Sequence, residues 1–301
     1  FSSIGEFETV KISAYHNRGI TDLLEKVLED SKNISSDTEN IKLSIVGHPN
    51  VGKSSIFNLL TESNRSIVSD IPGTTRDSID YVANYGENKI KFIDTAGLKK
   101  RGQIDPGIDK YSTIRTIKSI ENADVCILII NSEEMITAQD LHISGFIKDL
   151  MRPCIIVLNK IDLLDKYEAE SLINKIKEKF SHIPDIPVIL TSATKVINID
   201  KIVPEAIMVY ENSIRRISQK ELNKCFINAI TNKQPPSKGK KTPELFSISQ
   251  YKVGPPGFKF ESSNYDLIHF SYKRYLENNI RQSFDFSGCP ISLRFVKGKK
   301  Y

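Results

Sequence analysis

The sequence predicts a doubly wound α/β domain, with helices on both faces of a parallel sheet, followed by a small α+β domain. Two observations carry this prediction. Between residues 41 and 216, short apolar runs rich in Ile and Val alternate with stretches of helical period, which is typical of buried parallel strands joined by crossover helices. From residue 217 to 301 the predicted elements follow the order helix, two strands, helix and strand.

The spacing of the apolar residues gives the bounds of each predicted element. The strands of the first domain are 41–46, 90–93, 125–130, 154–158 and 187–190. Its helices are 54–60, 110–120, 138–150 and 168–180. The second domain has helices at 221–231 and 272–284 and strands at 245–253, 258–261 and 291–296.

The composition is that of an ordinary globular chain, with 39% hydrophobic and 26% charged residues. No apolar run approaches the roughly 20 residues that a membrane-spanning helix needs, so we expect no membrane span. The cysteines are far apart in the sequence, and we interpret them as buried thiols rather than metal ligands or disulfides, which fits a reducing cytoplasm. They are Cys126, Cys154, Cys225 and Cys289.

The net charge of +5 is unevenly distributed along the chain. Residues 218–301 hold 15 Lys and Arg against 6 Asp and Glu, whereas the rest of the chain holds 27 of the 42 basic and 31 of the 37 acidic residues. A basic domain of net charge +9 behind a mildly acidic one favours a polyanionic partner, and RNA is the partner we expect. A solvated lysine-rich surface is the alternative.

The first 40 residues do not resemble the start of a domain. A short strand at 10–14 and an amphipathic helix at 21–28 are the last two elements with which a nucleotide-binding α/β domain ends. Residues 32–40 are polar and are predicted to be a linker. We therefore expect residues 1–31 to be the C-terminal remnant of another domain in a truncated chain, since the sequence begins with Phe1 and not with Met.

A glycine-rich loop follows the first predicted strand and precedes the first predicted helix, which is the context in which such a loop binds phosphate. Its two glycines lack a Cβ, so the backbone N–H groups can turn inward around an anion. The Lys53 ammonium would reach the β- and γ-phosphates, and the Ser54 hydroxyl would ligate Mg²⁺. The predicted phosphate-binding residues are Gly47, His48, Pro49, Asn50, Val51, Gly52, Lys53, Ser54 and Ser55.

A second motif, Asp94-Thr95-Ala96-Gly97, follows the next strand. Its carboxylate can hold Mg²⁺ through a water molecule, and the Gly97 N–H can approach the γ-phosphate. Between the two motifs, residues 65–77 are polar and contain Pro and Gly, with neither a helical nor a strand period. We predict a switch segment that becomes ordered when Thr75 reaches the Mg²⁺ and the γ-phosphate. An ordinary surface loop is the alternative.

Two further motifs at strand ends predict the base. In Asn159-Lys160-Ile161-Asp162, the Asp162 carboxylate can accept two hydrogen bonds from guanine N1–H and its amine, while the Lys160 stem lies across the ring. The Ser192-Ala193 backbone could donate to guanine O6. Adenine offers neither the paired donors nor that acceptor, so the set predicts GTP and GDP over ATP.

In these motifs the sequence resembles the bacterial double-GTPase family Der, also called EngA. The resemblance implies a P-loop GTPase domain at 41–216, a KH-like domain at 217–301, residues 1–31 as the end of a first GTPase domain, and a role in assembly of the large (50S) ribosomal subunit through its rRNA. The sequence carries no signal for oligomerisation, so we expect the chain to be a monomer by default. Further matching stretches are Gly73–Asp77, Asp94–Leu98, Lys110-Tyr111-Ser112, Ile114-Arg115-Thr116, Ala123-Asp124, Gln250-Tyr251-Lys252, Pro255-Pro256, Arg274–Asn278 and Pro290-Ile291.

Two positions bear on hydrolysis. Leu98 occupies the position where other GTPases place the glutamine that orients water, and a leucine cannot do so. Asn50 matches the asparagine that, in potassium-activated members of this group, ligates K⁺ beside the phosphates, so the resemblance implies a slow, potassium-stimulated GTPase. A hydrogen bond that stabilises the loop is the alternative for Asn50. The basic run at 99–101 is interpreted as solvated charge, not as an arginine finger.

Gly254-Pro255-Pro256-Gly257 matches the Gly-x-x-Gly signature of KH domains, in which the loop joins two helices and clamps a nucleic-acid backbone. We reject that role because the predicted loop joins two strands. Electrostatic RNA contacts are expected instead from Lys238, Lys240, Lys241, Lys297, Lys299 and Lys300. Two other functions remain open: a nucleotide-stabilised RNA-binding module whose hydrolysis is incidental, and a GTPase of the Era type.

Overall fold

A computed structural model describes residues 40–62, 80–95, 109–134, 136–237 and 241–298. The chain divides into two compact units, Phe1–Asn40 and Ile41–Tyr301. All described residues except Asn40 belong to the second unit. The strand predicted at 10–14, the helix predicted at 21–28 and the switch segment predicted at 65–77 lie outside the described residues.

Six strands form the larger sheet in the order β2-β3-β1-β4-β5-β6. All neighbouring pairs from β3 to β6 in this order are parallel, as the apolar runs predicted. At the edge, β2 pairs antiparallel with β3. The edge strand β2 was not predicted. The bounds are β1 Ile41–Val46, β2 Tyr81–Tyr85, β3 Asn88–Phe92, β4 Val125–Asn131, β5 Cys154–Asn159 and β6 Val188–Leu190.

Within the described residues of this domain, five α-helices connect these strands or follow them. Two of them begin with a capping box, in which Thr137 pairs with Asp140 and Asp165 pairs with Glu168, so their first turns have satisfied N–H donors. The fifth helix was not predicted as a separate element. The bounds are α1 Lys53–Glu62, α2 Asp109–Asn122, α3 Ala138–Asp149, α4 Lys166–Lys179 and α5 Ile202–Ile214.

The helices cover both faces of the sheet, and each face has its own apolar core. Successive side chains of a strand point to opposite faces, so Ile127 and Ile129 of β4 join one core while Leu128 and Ile130 join the other. Every residue of β4 is buried. This double burial explains why the central strands are continuous apolar runs rather than alternating patterns. The fold is therefore the predicted doubly wound α/β type.

The second domain has the predicted order of helix, two strands, helix and strand. Its strands form one sheet in the order β7-β8-β9, with β7 and β8 antiparallel and β8 and β9 parallel. The turn between β7 and β8 contains the Gly254–Gly257 run, so this run closes a hairpin, as predicted. The bounds are α6 Gln219–Asn232, β7 Leu245–Lys252, β8 Gly257–Ser262, α7 Phe270–Ser283 and β9 Ser292–Lys297.

A joint between the two domains forms at the amino ends of β5 and β6. Gly288, in the connection from α7 to β9, accepts a hydrogen bond from Cys154 N (2.8 Å) and donates one to Asp185 O (3.1 Å). The Cys289 thiol donates to Val209 O of α5 at 3.2 Å. Buried apolar side chains on both sides belong to one continuous core. The two domains are thus packed directly against each other through hydrogen bonds and a shared apolar core.

Two predictions about the whole chain can be checked in its described part. All four cysteines are buried and free, as predicted. No helix among the described residues is long and apolar enough to cross a membrane.

Candidate nucleotide-binding site

The glycine-rich loop lies between the end of β1 and the start of α1, and its two glycines are required by close approaches. A Cβ on Gly47 would lie 2.4 Å from Ile129 O, and one on Gly52 would lie 2.2 Å from Asn159 Nδ2. Both residues also have positive φ, +149° and +100°. The loop can therefore curve tightly over the ends of β4 and β5 only with glycine at these positions.

Lys53 lies within the curve of its own loop. Its Nζ donates to Gly47 O at 2.9 Å and to His48 O at 2.6 Å. Burial lowers the pKa of Lys53 to about 8, and the negative charge of Asp140 partly offsets this effect. Because the ammonium is largely desolvated and its hydrogen-bond partners among the described residues are neutral carbonyls, an anion in the loop would gain a strong charge-assisted hydrogen bond from it.

Asn159 joins three of the predicted motifs. Its side chain is buried at the end of β5, where Nδ2 donates to Val51 O of the phosphate loop at 2.9 Å. Its Oδ1 accepts from the Ala193 N–H at 3.1 Å and from the Thr191 hydroxyl at 3.4 Å. The loop that would hold phosphate and the loops that would hold the base are thus linked through one amide. Sequence reasoning gave Asn159 a place in the site but not this bridging role.

The predicted base-reading residues lie at the carboxyl ends of β5 and β6. Lys160 has a φ of +67° and an Nζ 3.7 Å from Glu133, and the exposed Asp162 follows in a short 3-10 helix. The Ser192 N–H faces Ile197 O at 3.3 Å. The Ala193 N–H already has Asn159 as its partner, so a guanine O6 would have to share or replace that bond.

The predicted Mg²⁺ residues Ser54 and Asp94 supply a hydroxyl and a carboxylate, the hard oxygen donors that Mg²⁺ prefers. Ser54 is half-buried in the first turn of α1. Asp94 follows β3 with a φ of +57°, and its N–H donates to Asp80 Oδ1 at 3.3 Å. No group of three or more His, Cys, Asp or Glu in the described part of the chain could form a metal site by itself. The residues therefore fit Mg²⁺ held jointly with phosphate oxygens.

The Asp94 carboxylate has a partner that sequence reasoning missed. Arg115 of α2 donates to both of its oxygens, from Nε at 2.7 and 2.8 Å and from Nη2 at 2.5 Å. Arg115 stood in a stretch shared with the double-GTPase family, but nothing in the sequence paired it with Asp94. The buried Asp140, whose charge acts on Lys53, was also missed. Its Thr-x-x-Asp capping pattern with Thr137 is readable in the sequence.

The other predicted residues of the site fall into two groups. His48 is buried, with Nε2 3.5 Å from Glu134 Oε2, whereas Pro49, Asn50 and Ser55 are exposed. Val51 and Thr95 are buried. The second group lies outside the described residues and comprises Thr75, Ala96, Gly97 and Leu98. The basic run at 99–101, interpreted as solvated charge, also lies outside them.

Strand, glycine loop and helix in this order, with base-reading motifs at the neighbouring strand ends, define the chain as a phosphate-loop nucleotide-binding protein. A family model described as 50S ribosome-binding GTPase matches residues 42–160. A second, described as the C-terminal KH-domain-like region of EngA bacterial GTPase enzymes, matches residues 216–295.

Comparison with curated proteins identifies the family. GTPase Der of Clostridium acetobutylicum is 39% identical over 304 residues, which cover 99% of this chain and 69% of that protein. GTPase Der of Finegoldia magna is 38% identical over 305 residues, with 99% and 70% covered. The chain belongs to the GTPase Der family, so the resemblance seen in the sequence is confirmed. It is a GTPase that uses GTP, GDP and Mg²⁺, with a KH-like second domain.

Proposed function

We propose that this chain binds and hydrolyses GTP as an assembly factor of the large ribosomal subunit, in the bacterial cytoplasm and as a monomer. Residues 41–216 form the GTPase domain and residues 217–301 the domain that docks on rRNA. The observation that carries this proposal is the joint at Gly288, which fixes a domain of net charge +9 to the domain that holds the nucleotide. Docking of that basic domain is electrostatic and salt-dependent.

The residues of the site have distinct roles in this proposal. Lys53 binds the β- and γ-phosphates, and Ser54, Asp94 and Thr75 hold Mg²⁺, the Lewis acid that neutralises developing charge. The Gly97 N–H approaches the γ-phosphate. Asp162 reads guanine, with the Lys160 stem along the ring. These residues position the phosphates and exclude competing bases, so catalysis rests on orientation and electrostatics.

Potassium completes the proposed site. Asn50 stands in the phosphate loop with a φ of +66° and an exposed side chain. That side chain forms no hydrogen bond with any other described residue, so a loop-stabilising role is not supported in this part of the chain. An ion held by Asn50 beside the phosphates would neutralise the charge that develops during hydrolysis, as an arginine finger does.

Two measurements test the proposal. The first is GTP turnover in KCl and in NaCl at equal ionic strength, with excess ATP as competitor. Turnover that is faster in K⁺ and unaffected by ATP is expected, and Asn50→Ala should remove the K⁺ effect. Equal rates in the two salts would refute the potassium role. Competition by ATP would refute the guanine assignment.

The second measurement is sedimentation of the chain with 50S and with 30S subunits in GTP, in GDP and at rising salt. Selective, salt-sensitive binding to 50S in GTP is expected. Equal binding to both subunits would refute the proposed partner. If Asp94→Asn abolishes turnover and leaves GTP-dependent binding intact, the alternative of a nucleotide-stabilised binding module is favoured.

A further inference from the structure

The pair between Arg115 and Asp94 occupies the carboxylate that the proposed function assigns to Mg²⁺. Arg115 lies in the second turn of α2, and its guanidinium contacts both carboxylate oxygens within 2.8 Å. The Asp94 side chain is 23% exposed and that of Arg115 is 44% exposed, so the pair lies at the rim of the site. A planar guanidinium that contacts both oxygens of a carboxylate fixes the orientation of that carboxylate.

The backbone of Asp94 is held separately from its side chain. The Asp94 N–H donates to Asp80, whose carboxylate also pairs with Lys91 Nζ at 2.8 Å. The backbone at this position is therefore anchored to Asp80, directly before β2, while the carboxylate is held by α2. A side chain with an anchored backbone can change partners by rotation, without movement of the strand.

Mg²⁺ and the Arg115 guanidinium would compete for the Asp94 carboxylate. Each is a cation that draws the same carboxylate toward itself, and Mg²⁺ needs the carboxylate oriented toward a water molecule of its octahedral shell, whereas Arg115 orients both oxygens toward α2. Two cations close to one partly buried carboxylate repel each other. We propose that Arg115 is a positioning residue for Asp94 that competes with Mg²⁺ for the carboxylate, so that α2 and the metal ion hold it alternately. The inference rests on the proposed Mg²⁺ role of Asp94.

Competition has a reciprocal consequence. If Mg²⁺ weakens the hold of Arg115 on Asp94, then Arg115 must weaken the binding of Mg²⁺ by the same factor. When Mg²⁺ and nucleotide bind, the guanidinium is released from Asp94, and α2 loses this contact with the residue that follows β3.

The test measures release of mant-GDP, a fluorescent GDP derivative, as free Mg²⁺ is titrated. We compare wild type, Arg115→Ala, Arg115→Lys and Lys118→Ala. Lys118 is exposed one turn further along the same helix, so its removal deletes one positive charge without touching Asp94. Arg115→Ala should lower the Mg²⁺ concentration that half-maximally slows release by about three- to tenfold, given the exposure of the pair. Arg115→Lys should give an intermediate value, and Lys118→Ala the wild-type value.

The outcomes separate this inference from the proposed function. An unchanged or higher Mg²⁺ half-point in Arg115→Ala overturns the competition, because a merely structural pair would not shift it downward. An equal shift in Lys118→Ala also overturns it, since the effect would then be general charge. If Arg115→Ala does not fold, Arg115→Gln has similar length without charge and is judged by the same criterion. Failure of the wild type to bind mant-GDP, or release that is insensitive to Mg²⁺, would instead refute the proposed function.

Discussion

Replacing Gly288 by alanine should weaken the joint between the two domains, and a second glycine provides a matched control. Gly288 has a φ of +68°, and a Cβ there would lie 2.6 Å from Cys154 O, 3.0 Å from Pro187 Cδ and 3.1 Å from Val209 Cγ2. Gly86, in the turn between β2 and β3, has a φ of +60° and nothing within 4 Å of the same position. The two substitutions share the backbone strain and differ in the clash.

The expected magnitude follows from these two terms. Placing alanine in the left-handed region costs about 1–2 kcal/mol at either site. At Gly288 the Cβ must also push away the Cys154 carbonyl, which strains the hydrogen bond between Cys154 N and Gly288 O. An unsatisfied buried N–H costs about 1–3 kcal/mol. Gly288→Ala should therefore lower the free energy of unfolding by about 2–5 kcal/mol, and Gly86→Ala by about 1–2 kcal/mol.

Urea unfolding followed by circular dichroism measures both variants. The midpoint for Gly288→Ala should fall well below that for Gly86→Ala, with the slope of each transition compared to wild type. A separate early transition in Gly288→Ala would show that the basic domain detaches first. Equal losses of stability in the two variants would refute the reasoning, because the joint would then tolerate a Cβ that the distances exclude.

Two substitutions and one measurement of thiol reactivity test other parts of the structure. Asn159→Ala removes the partner of Val51 O and of the Ala193 N–H. It should lower the free energy of unfolding by about 2–4 kcal/mol and weaken mant-GTP binding. A loss of stability below about 1 kcal/mol contradicts the bridging role of Asn159. Burial raises the pKa of the Cys126 and Cys289 thiols from 9.0 to about 12, so the folded state holds these protons more tightly, and the resulting stabilisation is complete below pH 9 and lost as the pH rises toward 12. No thiol should react with Ellman's reagent in the native protein at pH 8, and four should react in denaturant; fast native reaction contradicts the burial. Tyr272→Phe removes a hydrogen bond to Lys233 O (2.7 Å) and should lower the thermal midpoint by an amount equivalent to about 1 kcal/mol, with no effect on nucleotide binding.

The sequence predicted the parts of the fold that depend on local pattern. The central strands are buried on both faces, so their apolar runs are unmistakable, and β1 was predicted with its observed bounds. The edge strand β2 escaped because Tyr-Val-Ala-Asn-Tyr is short, partly polar and buried on one face only. The joint at Gly288 could not be predicted, because it depends on residues 80 or more positions apart in the sequence.

The site divides in the same way. The phosphate loop was predictable because Gly47 and Gly52 must occupy positions that no residue with a Cβ can take. The hydrogen bond between the Ala193 N–H and Asn159 and the pair between Arg115 and Asp94 were not predictable, because each joins groups that only the packing of distant elements brings together. Residue type shows which chemistry is possible, whereas partners emerge only from the tertiary structure.

The joint at Gly288 also bears on the size of a partner that contacts both domains. The proposed nucleotide site lies at the carboxyl ends of the strands, while the basic domain contacts their amino ends, about 20 Å away for a six-residue strand. The joint therefore separates the basic domain from the proposed nucleotide site by about the length of a strand. A partner that contacts both the basic domain and the proposed nucleotide site must therefore span at least the length of a strand.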